Sequence, residues 1–419
     1  MRMECLVPVC VAFGLVAGLV RAEKPLDAKA SSGAVEALAK ALKGEDGNTA
    51  IIAGQPFAAV PLSKEDAARA RALLWDAHVA ALRKDRSGEL EKKELKEGTL
   101  VMPFFTKTFG EKPAAGRSLW ISLHGGGGAP ARVNDSQYEN QKKLYQPAEG
   151  IYLAPRAPTN TWNLWHEGHM DRFFARLVED FVAMEGVNPD RVYLMGYSAG
   201  GDGVYQMAPR MADWWAGAAM MAGHPNGVSL LSLRNVPFAL QVGANDNAYN
   251  RAKIGAEYGE QLGKLRQEDP KGYESFVRIR EGKGHWMNLE DKEALPWLAN
   301  FSRNPVPDRV VWKQTGPTHD RSYWLAVPKG KAKGGALVIA ERGENRVNIT
   351  QAEDVDQLII RLDDRMIPFN GPVVVEHKGK VVHSAPVTRT IGTLAKTLAE
   401  RGDPKLMFDA EVEVRLAGK

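Results

Sequence analysis

Between Ser63 and Ala81 the apolar positions Ala67, Ala70, Leu73, Leu74, Ala77 and Ala81 recur at helical spacing, with Glu65 and Asp66 just behind Ser63. A capping serine, acids in the first turn and that period predict a helix, and the alanine-rich, charged stretch around it predicts a helical extension over about 23–100. From about 101 to 303 the pattern changes. Short apolar runs at Leu119–Leu123, Ile151–Ala154, Arg191–Met195, Gly217–Ala222, Val236–Val242 and Ser275–Arg280 alternate with helical stretches at Asp171–Met184, Gly200–Met211, Ala252–Arg266 and Leu289–Phe301. Such alternation predicts the α/β class, a mostly parallel sheet with helices on both faces. The break Asn304-Pro305-Val306-Pro307 ends it. Beyond it, strands are predicted at Arg321–Val327, Arg346–Thr350, Gln357–Leu362, Pro372–Glu376 and Glu411–Leu416, with one helix at Ile391–Arg401. Residues 304–419 are therefore expected to form a small β-rich accessory domain, sandwich-like.

Residues 1–22 read as a processing signal. Arg2 precedes an apolar run from Leu6 to Val20, and Val20-Arg21-Ala22 offers a small-residue cleavage site. This is the pattern of a secretory signal peptide, so the mature chain is expected to be secreted or periplasmic. The other reading is an uncleaved anchor, although the run is shorter than a spanning helix needs. No other segment is apolar enough, so no membrane span is expected after cleavage. Both cysteines, Cys5 and Cys10, lie in this segment. Its removal would exclude disulfides, thiolate metal sites and a cysteine nucleophile together.

Charge adds little. Lys and Arg number 55 against 51 Asp and Glu, a net +4 that becomes +3 without Arg2, Arg21 and Glu4. No basic stripe carries interleaved aromatics, so no nucleic-acid partner is expected. No cofactor is implied. His166 and His169 have an i, i+3 spacing but no third ligand, so no metal site is expected there. Arg83 to Glu94 resembles an EF-hand loop, with Gly88 sixth, Leu90 eighth and Glu94 twelfth. The first ligand position holds Arg83, a cation that repels Ca²⁺, and the segment reads better as a helix–turn–helix.

The candidate chemistry sits in the middle region. Gly196-Tyr197-Ser198-Ala199-Gly200 follows one predicted strand and opens a helix. In that setting G-x-S-x-G is a nucleophile elbow, a turn so tight that glycines must flank the serine. His124-Gly125-Gly126-Gly127-Gly128 follows an earlier strand, where bare backbone N–H groups can approach a substrate oxygen. Gly126, Gly127 and Ala199 are the candidate oxyanion donors. The loops Gly243–Asn247 and Gly282–Trp286 each follow a strand, in the chain order serine, acid, histidine. Asp246 is then the orienting acid and His285 the base. Among the competitors, His224 falls too early in that order, Asp202 lies one turn into the elbow helix, and Asp291 lies beyond His285. Trp162, Trp165, His224 and Trp286 lie in loops expected at the same sheet edge and are candidate substrate contacts.

The elbow, the histidine-glycine run and the two acid–base loops resemble the α/β-hydrolase superfamily. With the stretch His169-Met170-Asp171-Arg172-Phe173-Phe174, they are similar to the secreted polyhydroxybutyrate depolymerase and feruloyl-esterase-like branch. The resemblance spans about Leu119 to Phe301. It implies the α/β-hydrolase fold, hydrolysis of small or polymeric carboxylic esters through an acyl-enzyme on Ser198, and a structural role for Asp171. Two other readings use the same residues: a serine peptidase of this fold, and a polymer- or surface-binding protein with a vestigial hydrolase domain.

Overall fold

The computed structural model describes residues 26–44 and 49–416. The expected signal segment and both cysteines lie outside them. Among the described residues no helix is long and apolar enough to cross a membrane.

The N-terminal region is helical: α1 (Ala28–Ala41), α2 (Thr49–Ile52) and α3 (Lys64–Lys92). Ser63 caps α3 by accepting from Asp66 N at 3.0 Å. The EF-hand-like segment proves to be neither loop nor turn. It is the last third of α3, which ends at Lys93 in a left-handed conformation. Its charged residues face another helix: Arg86 pairs with Glu179 at 2.5 Å, and Glu89 accepts from Arg176 Nε at 2.9 Å. Side chains that would have faced a cation are thus spent on ion pairs.

The central sheet has eight strands: β1 (Glu94–Glu97), β2 (Leu100–Phe109), β3 (Arg117–Leu123), β4 (Gly150–Pro155), β5 (Val187–Tyr197), β6 (Gly217–Met221), β7 (Phe238–Gly243) and β8 (Ser275–Arg280). Their spatial order is β1-β2-β4-β3-β5-β6-β7-β8. The β1–β2 and β2–β4 pairs are antiparallel and all later pairs are parallel. The expected division near residue 100 thus falls in the turn between two paired strands. Five helices cover the sheet: α4 (Ala131–Leu144), α5 (Gly168–Met184), α6 (Ala199–Arg210), α7 (Arg251–Glu268) and α8 (Ala294–Leu298).

Strand alternation sends side chains to both faces. From β5, Val192 and Leu194 enter one cluster with Phe174 and Leu177 of α5 and Val204 and Met207 of α6. Tyr193, Met195 and Tyr197 enter the opposite cluster with Leu295 and Leu298 of α8. Both faces are buried, which is why these strands read as apolar runs.

The C-terminal region adds β9 (Arg309–Lys313), β10 (Arg321–Ser322), β11 (Leu325–Ala326), β12 (Leu337–Arg342), β13 (Arg346–Glu353), β14 (Gln357–Leu362), β15 (Val373–His377), β16 (Lys380–Ala385), α9 (Ile391–Arg401) and β17 (Ala410–Arg415). They form two sheets, β10-β11-β14-β17 and β16-β15-β13-β12-β9. The strand expected over Arg321–Val327 is instead two short strands turning at Tyr323, whose φ is +53°. This region does not stand apart. Val310, Trp312, Tyr323 and Trp324 belong to the same core cluster as the central sheet. Helix α9 packs Leu394 and Leu398 against Leu38 of α1 and Leu74 of α3. The two flanking regions therefore lean on each other as well as on the middle of the chain.

Candidate active site

Ser198 stands between β5 and α6 with φ +58° and ψ −121°, a strained conformation for a residue with a Cβ. The close approach around it explains the flanking glycines: a methyl on Gly200 would strike the Leu123 carbonyl. Ser198 N donates to Met221 O at 2.9 Å, which ties the elbow to β6. Strand β7 delivers Asp246 and β8 delivers His285 to the same carboxyl edge. His285 Nε2 lies 3.0 Å from Ser198 Oγ, and His285 Nδ1 lies 2.7 Å from Asp246 Oδ2. Asp246 is buried, whereas the His285 side chain is 44% exposed. Arg251 Nη1 approaches the other Asp246 oxygen at 3.8 Å.

The competing acids are elsewhere. Asp202 accepts from His224 N at 2.6 Å, and burial raises its carboxyl. Asp291 is fully buried, takes a hydrogen bond from Tyr145 Oη and is likewise raised by burial. Neither hydrogen-bonds the His285 imidazole.

The glycine loop is held from beneath. His124 is fully buried, with Nδ1–H donating to Gly125 O at 2.6 Å and Nε2 accepting from Ala157 N at 3.2 Å. Burial pushes its pKa down to about 4, so the ring is neutral near pH 7. Asn134, buried in α4, accepts from Gly127 N at 2.8 Å and donates to Ala129 O at 3.1 Å. Gly127 is therefore corrected: its N–H already belongs to Asn134. Gly126, with φ +106°, lines one cleft with Ser198, and Ala199 opens α6, where the first N–H groups have no partner within the helix.

The expected substrate contacts divide. Trp286, 49% exposed, lines a cleft of about 680 Å³ with Ser198, His285, Gly125, Gly126 and Leu289. Trp165 does not: it is fully buried, and its indole donates to His124 O at 2.8 Å. It is a core residue that happens to sit in the loop. Trp162 lies outside the cleft lining, exposed over His166 and against Gly128. His224 also lies outside it, its ring engaged with Asn226 at 2.9 Å. His169 faces Glu167 at 3.4 Å. Asp171 is structural, pairing with Arg210 at 2.5 Å and with His319 of the C-terminal region at 2.7 Å.

Two further residues position the site without a strong sequence signal of their own. Asn134 lies on α4, whose inward residues Asn134 and Gln141 are polar, so no apolar period marks that helix. Tyr197 precedes Ser198 and bonds the His285 loop. Its only sequence signal was its place in the elbow motif.

No family model matches the chain. A protein named as an esterase, NocK, from Nocardia uniformis subsp. tsuyamanensis is 33% identical over 118 residues, 26% of this chain and 33% of NocK. The chain thus spans about a third of the length of that relative. Among solved structures, a thermostable esterase shares 16% identity with a TM-score of 0.39, covering 50% of this chain and 62% of that one. LpqC, a poly(3-hydroxybutyrate) depolymerase from Bordetella parapertussis, shares 16% identity with a TM-score of 0.38, covering 50% and 87%. The strand order, the one strand β2 that runs against the others, and the strand–serine–helix turn after β5 stand independently of these likenesses, and they give this chain the α/β-hydrolase fold.

Proposed function

We propose that this protein is an exported serine hydrolase of carboxylic esters. The observation that supports it most is the unbroken line from buried Asp246 through His285 to Ser198 Oγ, with contacts of 2.7 and 3.0 Å. In the proposed reaction His285 Nε2 takes the hydroxyl proton as Ser198 Oγ attacks the ester carbonyl. The oxyanion that forms accepts from Gly126 N–H and Ala199 N–H. His285 then gives the proton to the departing alkoxide, leaving an acyl-enzyme. Water, deprotonated by the same imidazole, releases the acid. Asp246 holds Nδ1–H and stabilises the imidazolium. NocK, the curated relative named as an esterase, agrees with this reaction class. Export rests on the sequence of residues 1–22 alone.

The test is turnover of nitrophenyl acetate, butyrate and octanoate by the mature chain and by Ser198→Ala. Wild-type turnover that falls on the order of 10⁴-fold or more in the variant supports the reading. Equal rates in both, or no turnover of any ester, would overturn it.

A further inference from the structure

A second cavity, of about 720 Å³, lies where the three regions of the chain meet. Its walls come from α3, α5 and the end of α9, and it shares no lining residue with the Ser198 cleft. Its lining is rich in cations: Lys84, Arg86, Arg176, Arg321 and Arg401. Two of these are committed. Arg86 pairs with Glu179 and Arg176 with Glu89. The other two guanidiniums differ.

Arg401 is only 6% exposed and lies 3.2 Å over the Trp214 ring. Its Nη2 donates to the Asp213 backbone carbonyl at 2.9 Å and comes no nearer than 3.5 Å to that carboxylate. Its Nε is sealed from solvent and bonds nothing among the described residues. Arg321 makes neither a hydrogen bond nor an ion pair among the described residues, and its Nε is sealed as well. The Asp213 carboxylate attracts both Arg321 and Arg401, while the neighbouring Arg361 repels Arg321 and pairs with Glu400. Burial holds both groups below the usual arginine range, Arg401 at about 9.

A guanidinium cannot escape such a position by deprotonating near neutral pH, and two buried guanidiniums that share the Asp213 carboxylate without a close ion pair leave donors unmet. The arginine fork matches a carboxylate or phosphate group in shape and charge. We propose that this cavity binds a small oxyanion, with Arg321 and Arg401 as its inner donors and Lys84 at its rim. Bound there, the anion touches all three regions and clamps them, so its effect falls on stability and not on the ester site.

The experiment follows the melting temperature of the full chain against inorganic phosphate, with sodium chloride at matched ionic strength as control and citrate as a carboxylate arm. The expected result is a saturable rise of about 3 °C beyond the chloride control, with the tighter anion naming the preferred group. Arg321→Met should abolish that rise and leave the anion-free protein at least as stable, because the guanidinium it removes makes no hydrogen bond or ion pair among the described residues. Lys84→Gln, at an exposed position, should weaken the phosphate response about threefold without changing the anion-free melting point. A phosphate response no larger than that of chloride overturns the proposal, as does a response that survives in Arg321→Met. It also falls if Arg321→Met lowers the melting point of the anion-free protein, since the chain would then supply the counter-charge itself.

Discussion

The Tyr197 hydroxyl donates to the His285 backbone carbonyl at 2.5 Å and accepts from Met287 N at 3.0 Å. One side chain, adjacent to the candidate nucleophile, thereby grips both sides of the loop that carries the candidate base. Its ring also meets the His285 imidazole edge-on at 5.9 Å. Removing the hydroxyl frees the loop without touching the substrate carbonyl. Tyr197→Phe should lower kcat about tenfold and leave KM within about twofold. Steady-state kinetics on nitrophenyl butyrate checks this. A raised KM at unchanged kcat would assign Tyr197 to substrate binding instead.

Asn134 makes the matching contact on the oxyanion side, where it pins Gly127 N. Asn134→Ala leaves that amide without its acceptor and lets the glycine loop relax. The expected outcome is a kcat loss on the order of 10²-fold, with a stability loss of about 2 kcal/mol. Kinetics and urea unfolding on one preparation measure both.

His124 predicts a pH dependence of stability. Its folded pKa is about 4, below the usual 6.5, so between those values the unfolded chain binds a proton that the folded chain refuses. Its contribution is complete above about pH 6.5 and is lost as pH falls towards 4. It amounts to about 3 kcal/mol. His166, also held near 4 by burial, acts in the same direction. Urea midpoints at pH 7 and pH 4.5 should show the decline, and His124→Asn should show a shallower one. Equal slopes would mean that His124 titrates as an exposed histidine does.

Arg303, nearly buried, holds Asp190 at 2.8 Å and Asp403 at 2.7 Å, and so joins β5 to the segment after α9. Asp403→Ala removes one countercharge from a buried cation and should cost about 3 kcal/mol. A chain ending at Arg303 exposes the core shared with Trp312 and Trp324 and should fail to fold. If that truncated chain is soluble, cooperative on heating and active on nitrophenyl acetate, the C-terminal region is a separable accessory unit after all.

Trp286 is the one expected aromatic contact that lines the cleft. Trp286→Ala should raise KM for octanoate about fivefold and change acetate little, since only the longer chain reaches the indole. Equal effects on both esters would argue against an acyl contact.

Strands and helices were legible wherever the apolar pattern was regular and bounded by polar breaks. Gln357–Leu362, Ser275–Arg280 and Ile391–Arg401 begin and end where the apolar pattern does. The elements that escaped had another physical character. Helix α4 turns amides inward, β1 is four residues of mostly charged side chains, and α8 is cut short around Pro296. Trp165 and Trp286 are the same residue type in loops at the same sheet edge, yet one is sealed against His124 and the other is open to solvent.

The sequence by itself determined the serine on its glycine-flanked turn, the order of acid and base after it, and the α/β class, because local backbone limits and hydrophobic period write these directly into residue spacing. The tertiary structure alone decided which amides stay free for an oxyanion, which tryptophan meets the cleft, and that α9 closes against α1 and α3. Those outcomes depend on partners brought from far along the chain, such as Asn134 for Gly127 and Tyr197 for His285, and spacing carries no record of a partner.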